Sequence, residues 1–586
     1  MKKIRLISVL IIPFLLTGCK ISFWNKDNNN WSDREVDLYR AAGVVDKKIS
    51  LRYYNDLPNV PYISVEAYFK EFFKRDFTII KNNNTYTYAL ASNVYLKFDL
   101  SSNTFSALGL QAFNSHPDFK QSNKKLFIKY DGNESSSPQE KIVNMNNYSI
   151  RFFVDNDKVY APFSFLSSIS GGLSLYDTSY NGKDVYVLDY GGQLGSATSA
   201  NSYGASYYSV LKDKTTERKR DLADYNYNEL CFVFDNLRGY TDHLVYGDSN
   251  LLSLGLNGLL DRFSPKVKEY LLSLDKMKYL EGITALFNGL YDNGHTVMIS
   301  SFTTMLEAYN RGSESEFITL NNTVLERYND KNNRKISAKN CRTSSFSVSG
   351  EHSYKYNSDS KTAYITFNSF DVDYDGWDNY YNGKGTVPIE TDTYAYIRSK
   401  LYTAKSDGAK NVVLDLTSNG GGNTYALEGI VGLLHGAKSN FDCNDTFNKY
   451  RVTEKHSIDI NLDGKFDDLD ISEANKFNFN IGILTSQYSF SCGNLLPSVL
   501  KSYGYKIIGE KSGGGSCAVA LQTTADGLQY AQSSYLCLSD PQGNNIDSGV
   551  EVDFPIEAAK LTDSSYDYSN FFNFELVGNY LSSAYL

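Results

Sequence analysis

Asn411-Val412-Val413-Leu414-Asp415-Leu416-Thr417-Ser418-Asn419-Gly420-Gly421-Gly422 is the stretch that decides the fold. Its apolar run reads as a strand buried on both faces, and the residues from Tyr425 to Leu434 beyond the glycines read as a helix. A strand passing through glycines into a helix is the repeating unit of an α/β domain. Glycines there let the backbone approach a ligand, and amides at a helix N-terminus can hold a developing oxyanion. An ordinary strand-to-helix turn has the same pattern.

The pattern recurs downstream. Asn480-Ile481-Gly482-Ile483-Leu484-Thr485 reads as a strand, Ser486 to Asn494 as a turn, and Leu495 to Tyr503 as a helix. Thr362 to Phe367 and Tyr505 to Gly509 supply further strands, so an α/β domain is expected. Ser491 would stand at a helix start, its hydroxyl in the field of the helix N-terminus and its neighbour's N–H free. A serine at such a place also serves as an N-cap. His295, one of six histidines, closes Asp292-Asn293-Gly294-His295 at the end of a region with helical period from Tyr225 to about Glu307.

Together Asp-Leu-x-x-Asn-x-Gly-Gly after a strand, Thr-Ser-x-x-x-x-Ser after another, Ile508-Gly509-Glu510-Lys511-Ser512-Gly513-Gly514, and the upstream Asp-x-Gly-His-Thr resemble the C-terminal processing (tail-specific) serine peptidases. The last segment is similar to the branch that uses a histidine base and includes the tricorn-like enzymes. The resemblance runs over roughly residues 225 to 560. It implies a ClpP/crotonase-like α/β core, Ser491 as nucleophile and His295 as general base, with Gly421 or Gly422 and the Cys492 N–H as the oxyanion hole. Such chemistry is coherent, since a hydroxyl needs a base and a tetrahedral intermediate needs fixed donors. The sequence also departs from the family. Asn494 stands where the family usually has Glu, and Gly513-Gly514-Gly515-Ser516 lacks the lysine of a Ser–Lys dyad, leaving Lys511 as the nearby substitute. Val552 replaces a proline near the C-terminal motif, where Asp547 or Glu551 is the candidate orienting acid, with Asp547 favoured. Cys492 reads as a small buried side chain rather than a thiol nucleophile.

The rest of the chain frames that core. Lys2, Lys3 and Arg5, an apolar run and Leu16-Thr17-Gly18-Cys19 form a lipoprotein signal peptide over 1–18, with lipidation at Cys19 and extracytoplasmic membrane attachment expected. The 58 basic residues less the leader's three leave 55 against 67 acidic, a net charge of about −12, which disfavours nucleic acid. Residues 19–47 read as a tether. Residues 48–195 read as α+β modules similar to the N-terminal modules of copper amine oxidases, because Pro61-Tyr62-Ile63-Ser64-Val65 and Val159-Tyr160-Ala161-Pro162-Phe163 each lead into a short helix. Residues 220–340 form the helical segment carrying the base and 341–586 the peptidase core, with the polar stretch 308–360 read as loop-rich. The loop from Asp459 to Asp470, with Asn461, Asp463, Lys465 through its carbonyl, and Asp467, has the spacing of a dockerin-type calcium loop around Gly464, so structural calcium is expected. Asp371-x-Asp373-x-Asp375-Gly376 lacks the later ligands. Six cysteines beyond Cys19 leave disulfide pairing open. The function implied is peptide-bond hydrolysis of protein or peptide substrates. The alternative is a surface binding or scaffold lipoprotein that keeps the fold without activity.

Overall fold

Successive residues of Asn411–Asp415 face opposite sides of a sheet, and both sides are covered, so the strand reads as one unbroken apolar run. Val412 and Leu414 pack with the helices Thr393–Asp407, Thr424–His435 and Cys492–Ser502. Val413 packs with Tyr364, Leu484, Phe346 and Leu581 on the other face. The six-stranded sheet runs His352–Asn357, Thr362–Phe367, Asn411–Asp415, Asn480–Thr485, Lys506–Gly509, Phe554–Pro555, antiparallel at the first pair and parallel thereafter. Because Leu414 pairs with Ile483, the turns after both strands emerge side by side at the carboxyl edge, where α/β sheets place ligands. This is a computed structural model, and it describes residues 31–41, 44–114, 124–171, 176–189, 203–213, 215–240, 242–311 and 314–586.

A second sheet joins distant parts of the chain. Gln529–Leu538 pairs with Val297–Met298, which begins two residues after His295, and with Lys438–Asp445 and Cys517–Thr523. Tyr450–Ile458 extends it to Ile128–Ser135. In the N-terminal region the two strand-to-helix segments are Leu57–Ser64 into Val65–Phe73 and Lys158–Pro162 into Phe163–Ser170. Their strands pair antiparallel, Tyr160 with Ser64 and Ala161 with Ile63, inside a seven-stranded sheet.

Three boundaries differ from the sequence reading. Trp31–Ala41, assigned to the tether, is a strand pairing along Val44–Tyr54, with Leu38 buried and Arg34 over the Tyr53 ring. Ile128–Ser135, assigned to the N-terminal modules, belongs to the second sheet. The stretch 308–360 contains a 32-residue helix, Ser315–Phe346. Its polarity is that of an amphipathic helix buried at few points, anchored where Arg342 meets Asp415 at 3.1 Å in the core. Removing one partner of such a buried pair costs about 3–5 kcal/mol. The leader and Cys19 lie outside the described residues. Among the described residues no helix is long and apolar enough to cross a membrane.

Candidate active site

The two turns at the carboxyl edge are laced together before any catalytic group is considered. Ser489 Oγ donates to Leu416 O and Ser486 Oγ to Thr417 O, both at 2.7 Å, and Phe490 N–H reaches Asn419 O at 3.2 Å. Gly493 lets this approach happen, since a Cβ there would lie 2.7 Å from Asn419 O. The lacing holds Ser491, half-buried at the start of Cys492–Ser502, at φ 56° and ψ −121°. A non-glycine residue in this region is strained by about 1–3 kcal/mol, and such strain persists only where neighbours enforce it. Here Ser491 N–H donates to Gly514 O at 3.0 Å, and its carbonyl accepts from Asn494 and Leu495. Its side chain caps no helix amide, so the N-cap role expected of a helix-start serine is not the one it plays.

Gly421 abuts the serine: a Cβ there would sit 2.7 Å from Ser491 Cβ and 3.1 Å from Cys492 N. Its own N–H donates to Asn419 Oδ1 at 2.8 Å. Among the described residues, the Gly422 and Cys492 N–H groups donate to no protein acceptor. Cys492 Sγ donates to Gly422 O at 3.1 Å, which fixes these two residues against each other. Of the two glycines offered by the sequence, Gly422 is therefore the one with a free donor. Burial pushes the Cys492 thiol up to about 12, which disfavours the thiolate a cysteine nucleophile needs.

His295 reaches this turn through Phe490, whose ring it meets edge-on at 4.8 Å between centroids. Among the described residues no hydrogen bond joins His295 to Ser491, and His295 Nδ1 is buried without a partner. Its loop is built by Asp292. Oδ1 of Asp292 accepts the N–H groups of His295 at 2.9 Å and Thr296 at 2.7 Å, while Oδ2 accepts the Thr296 and Ser533 hydroxyls. Burial lowers the His295 pKa, Lys331 adds to that, and the Asp292 charge opposes it.

Lys331 is the residue the sequence reading missed. It extends from the long helix to donate to Asn293 O at 3.0 Å and lies 3.6 Å above the Phe490 ring. The Phe490 ring thus contacts both His295 and Lys331. Burial brings the Lys331 ammonium down to about 8. Its signal was invisible because 160 residues separate it from the nucleophile and its helix was read as loop. Beside it opens a cavity of about 910 Å³, lined among others by Asn293, Arg334, Gln487, Ser512 and Gly513.

The expected carboxylates stand elsewhere. Asp547 Oδ1 accepts from Ser516 N and Oγ, and Oδ2 from Asp242 N, so its carboxylate braces the loop behind Ser491 and makes no hydrogen bond to His295. Glu551 is exposed and pairs with Lys511 at 2.8 Å. That pairing also takes Lys511 away from the role of base. Asn494, in place of Glu, donates to Ile546 O at 2.9 Å and accepts from Ser512 Oγ at 2.6 Å, tying the nucleophile helix to the same loop.

In the acidic loop, Gly464 turns at φ 82° and its N–H reaches Asp459 Oδ2 at 2.7 Å. The loop's carboxylates also accept its own backbone N–H groups. Asp459 Oδ1 accepts from Leu462 and Asp463, and Asp470 accepts from Ile460, Asn461 and Asp467. Asp463 accepts from Lys465 N, and Asp467 caps the helix Asp468–Ala474. Among the described residues no three His, Cys, Asp or Glu side chains gather as a metal-ligating group. The Gly464 turn and the acidic side chains at Asp459, Asp463 and Asp467 keep the spacing of a calcium loop.

Residues 361–556 match the model of peptidase family S41. Among curated proteins none matches the sequence significantly. Similar solved structures include a candidate peptidase from Parabacteroides merdae, at 14% identity and TM-score 0.38 over 62% of this chain and 96% of that one. Mature CPAF aligns at 10% identity and TM-score 0.36 over 62% and 95%. The photosystem II D1 C-terminal processing protease aligns at 20% and 0.24 over 33% and 42%.

Proposed function

We propose, from the premise that this chain belongs to peptidase family S41 through residues 361–556, that it is a serine endopeptidase working through an acyl-enzyme on Ser491. The observation that carries this reading is the strained Ser491 backbone beside two uncommitted N–H groups, those of Gly422 and Cys492. A carbonyl placed against Ser491 Oγ would direct its developing oxyanion at those donors. Removing one such donor typically costs on the order of 10²–10³-fold in kcat. His295, kept neutral by burial, takes the serine proton and returns it to the leaving amine. The absent His295–Ser491 hydrogen bond does not disqualify the pair, because catalytic bonds often tighten only with substrate in place.

Fluorophosphonate labelling tests the assignment. Wild type should label at Ser491, and both Ser491→Ala and His295→Ala should abolish labelling. A well-folded wild type that never labels and cleaves no peptide would favour the scaffold reading. The leader and Cys19 support an extracytoplasmic, lipid-anchored location, checked by metabolic labelling with a fatty acid in wild type and Cys19→Ala. The spacing from Asp459 to Asp470 supports structural calcium. Chelation should then lower the melting temperature of wild type and leave Asp463→Ala unchanged.

A further inference from the structure

We propose that Cys517 and Cys537 form a disulfide that staples the loop on which the Ser491 backbone hangs. The two residues stand directly opposite each other on the antiparallel strands Cys517–Thr523 and Gln529–Leu538, next to an irregularity in the register. Their sulfurs are 3.3 Å apart and buried. Closing to a bond of roughly 2.05 Å is a small movement for two side chains already facing each other across a strand pair.

Their surroundings hold them in register. Cys517 Sγ donates to Tyr240 O at 2.9 Å, and Tyr240 N–H donates to Cys537 Sγ at 3.4 Å, so one residue's backbone grips both sulfurs. Gly239 makes room for them, since a Cβ there would lie 2.5 Å from one sulfur and 2.7 Å from the other. No other pair of described thiols is in hydrogen-bonding contact. Cys492 is turned to Gly422, and Cys443 lies on the neighbouring strand opposite Leu538.

The staple would end one residue from Ser516, whose N–H and hydroxyl both bond Asp547. Gly514 O accepts the Ser491 N–H, and Gly515 N–H reaches Asp547 O. Linking the strands at Cys517 therefore fixes the root of the loop that sets the nucleophile's backbone.

Oxidation needs an external disulfide such as glutathione disulfide. One thiolate attacks it and expels glutathione thiolate; the second then displaces the other glutathione. Overall two thiols and one glutathione disulfide give one protein disulfide and two glutathione thiols, the two electrons and two protons passing to glutathione. Both sulfurs are buried in the folded chain, so the exchange belongs to folding, before the strands close.

The proposal rests on export to an oxidising compartment, as the leader implies. The experiment is cysteine mapping of exported wild-type protein held in a glutathione redox buffer: alkylation under denaturing, non-reducing conditions, digestion and mass analysis. The expected result is a cross-linked peptide pair carrying Cys517 and Cys537 with Cys231, Cys341, Cys443 and Cys492 alkylated. Reduction should then lower the melting temperature by several degrees in wild type and leave a Cys517→Ser/Cys537→Ser variant unchanged. Alkylation of both Cys517 and Cys537, or a bridge from either to another cysteine, overturns it. Because the mapping reads sulfur chemistry alone, it stands or falls independently of peptidase activity.

Discussion

The nucleophile and the base of this site are held in opposite ways. Ser491 sits in a turn fixed by hydrogen bonds to the loops at Asn419 and Gly514, all at the carboxyl edge of the sheet that defines the core. His295 arrives from outside that sheet, on a loop shaped by Asp292 and clamped by Lys331, with one ring nitrogen unpartnered. Strain can be stored only where neighbours over-determine the backbone, so the nucleophile is preorganised and the base is adjustable. Perturbing the first should break the site, whereas perturbing the second should tune it.

The largest effect is expected at Gly421. At φ 112°, with no room for a Cβ beside Ser491 or Phe490 O, Gly421→Ala must displace the serine turn. Labelling should slow by on the order of 10²-fold or more, with a lower melting temperature, as loss of oxyanion and serine geometry together implies. Gly420→Ala is the control. The atoms nearest a Cβ there belong to the Tyr488 side chain, the closest at 3.3 Å, and activity should stay within a few-fold of wild type. Equal effects at the two glycines would contradict a uniquely preorganised nucleophile turn.

A smaller effect separates Asp292, beside His295, from the expected orienting acid Asp547. Asp292→Asn removes the negative charge that favours protonated His295 while keeping an oxygen for the loop's N–H groups, and kcat/KM should fall about 10- to 100-fold. Asp547→Asn disturbs only the Ser516 and Asp242 contacts and should cost less than about 10-fold. The reverse order would return Asp547 to the orienting role that the family resemblance suggested.

The same contrast explains what the sequence made legible. Thr362–Phe367, Asn411–Asp415 and Asn480–Thr485 are parallel strands, buried except at Asn480 and followed by turns, so their apolar runs and glycines mark fold and nucleophile together. Trp31–Ala41 escaped because its charged residues face outward and only alternate residues are buried; Ser315–Phe346 escaped because a long helix touching the core at few points is polar along most of its length. Lys331 and the bracing role of Asp547 depend on contacts across 31 to 305 residues of chain, which no local pattern encodes.

Lys331 offers the finest test of which group is adjustable. Its charge and the burial of His295 both hold the imidazole neutral, so the acidic limb of kcat/KM should fall below the ordinary histidine value of about 6.5. The sign follows from the base being active only when deprotonated: activity is present above the folded pKa and lost as pH falls through it. Lys331→Met removes a like charge, so the His295 pKa rises and the limb moves upward by a fraction of a unit, with kcat/KM reduced less than about 10-fold by the lost tie to Asn293. Were Lys331 itself the base, wild-type activity would instead climb through pH 8, near its own pKa of about 8, and Lys331→Met would abolish turnover while His295→Ala retained it. A pH profile of the three proteins therefore assigns the proton to one side of the Phe490 ring or the other.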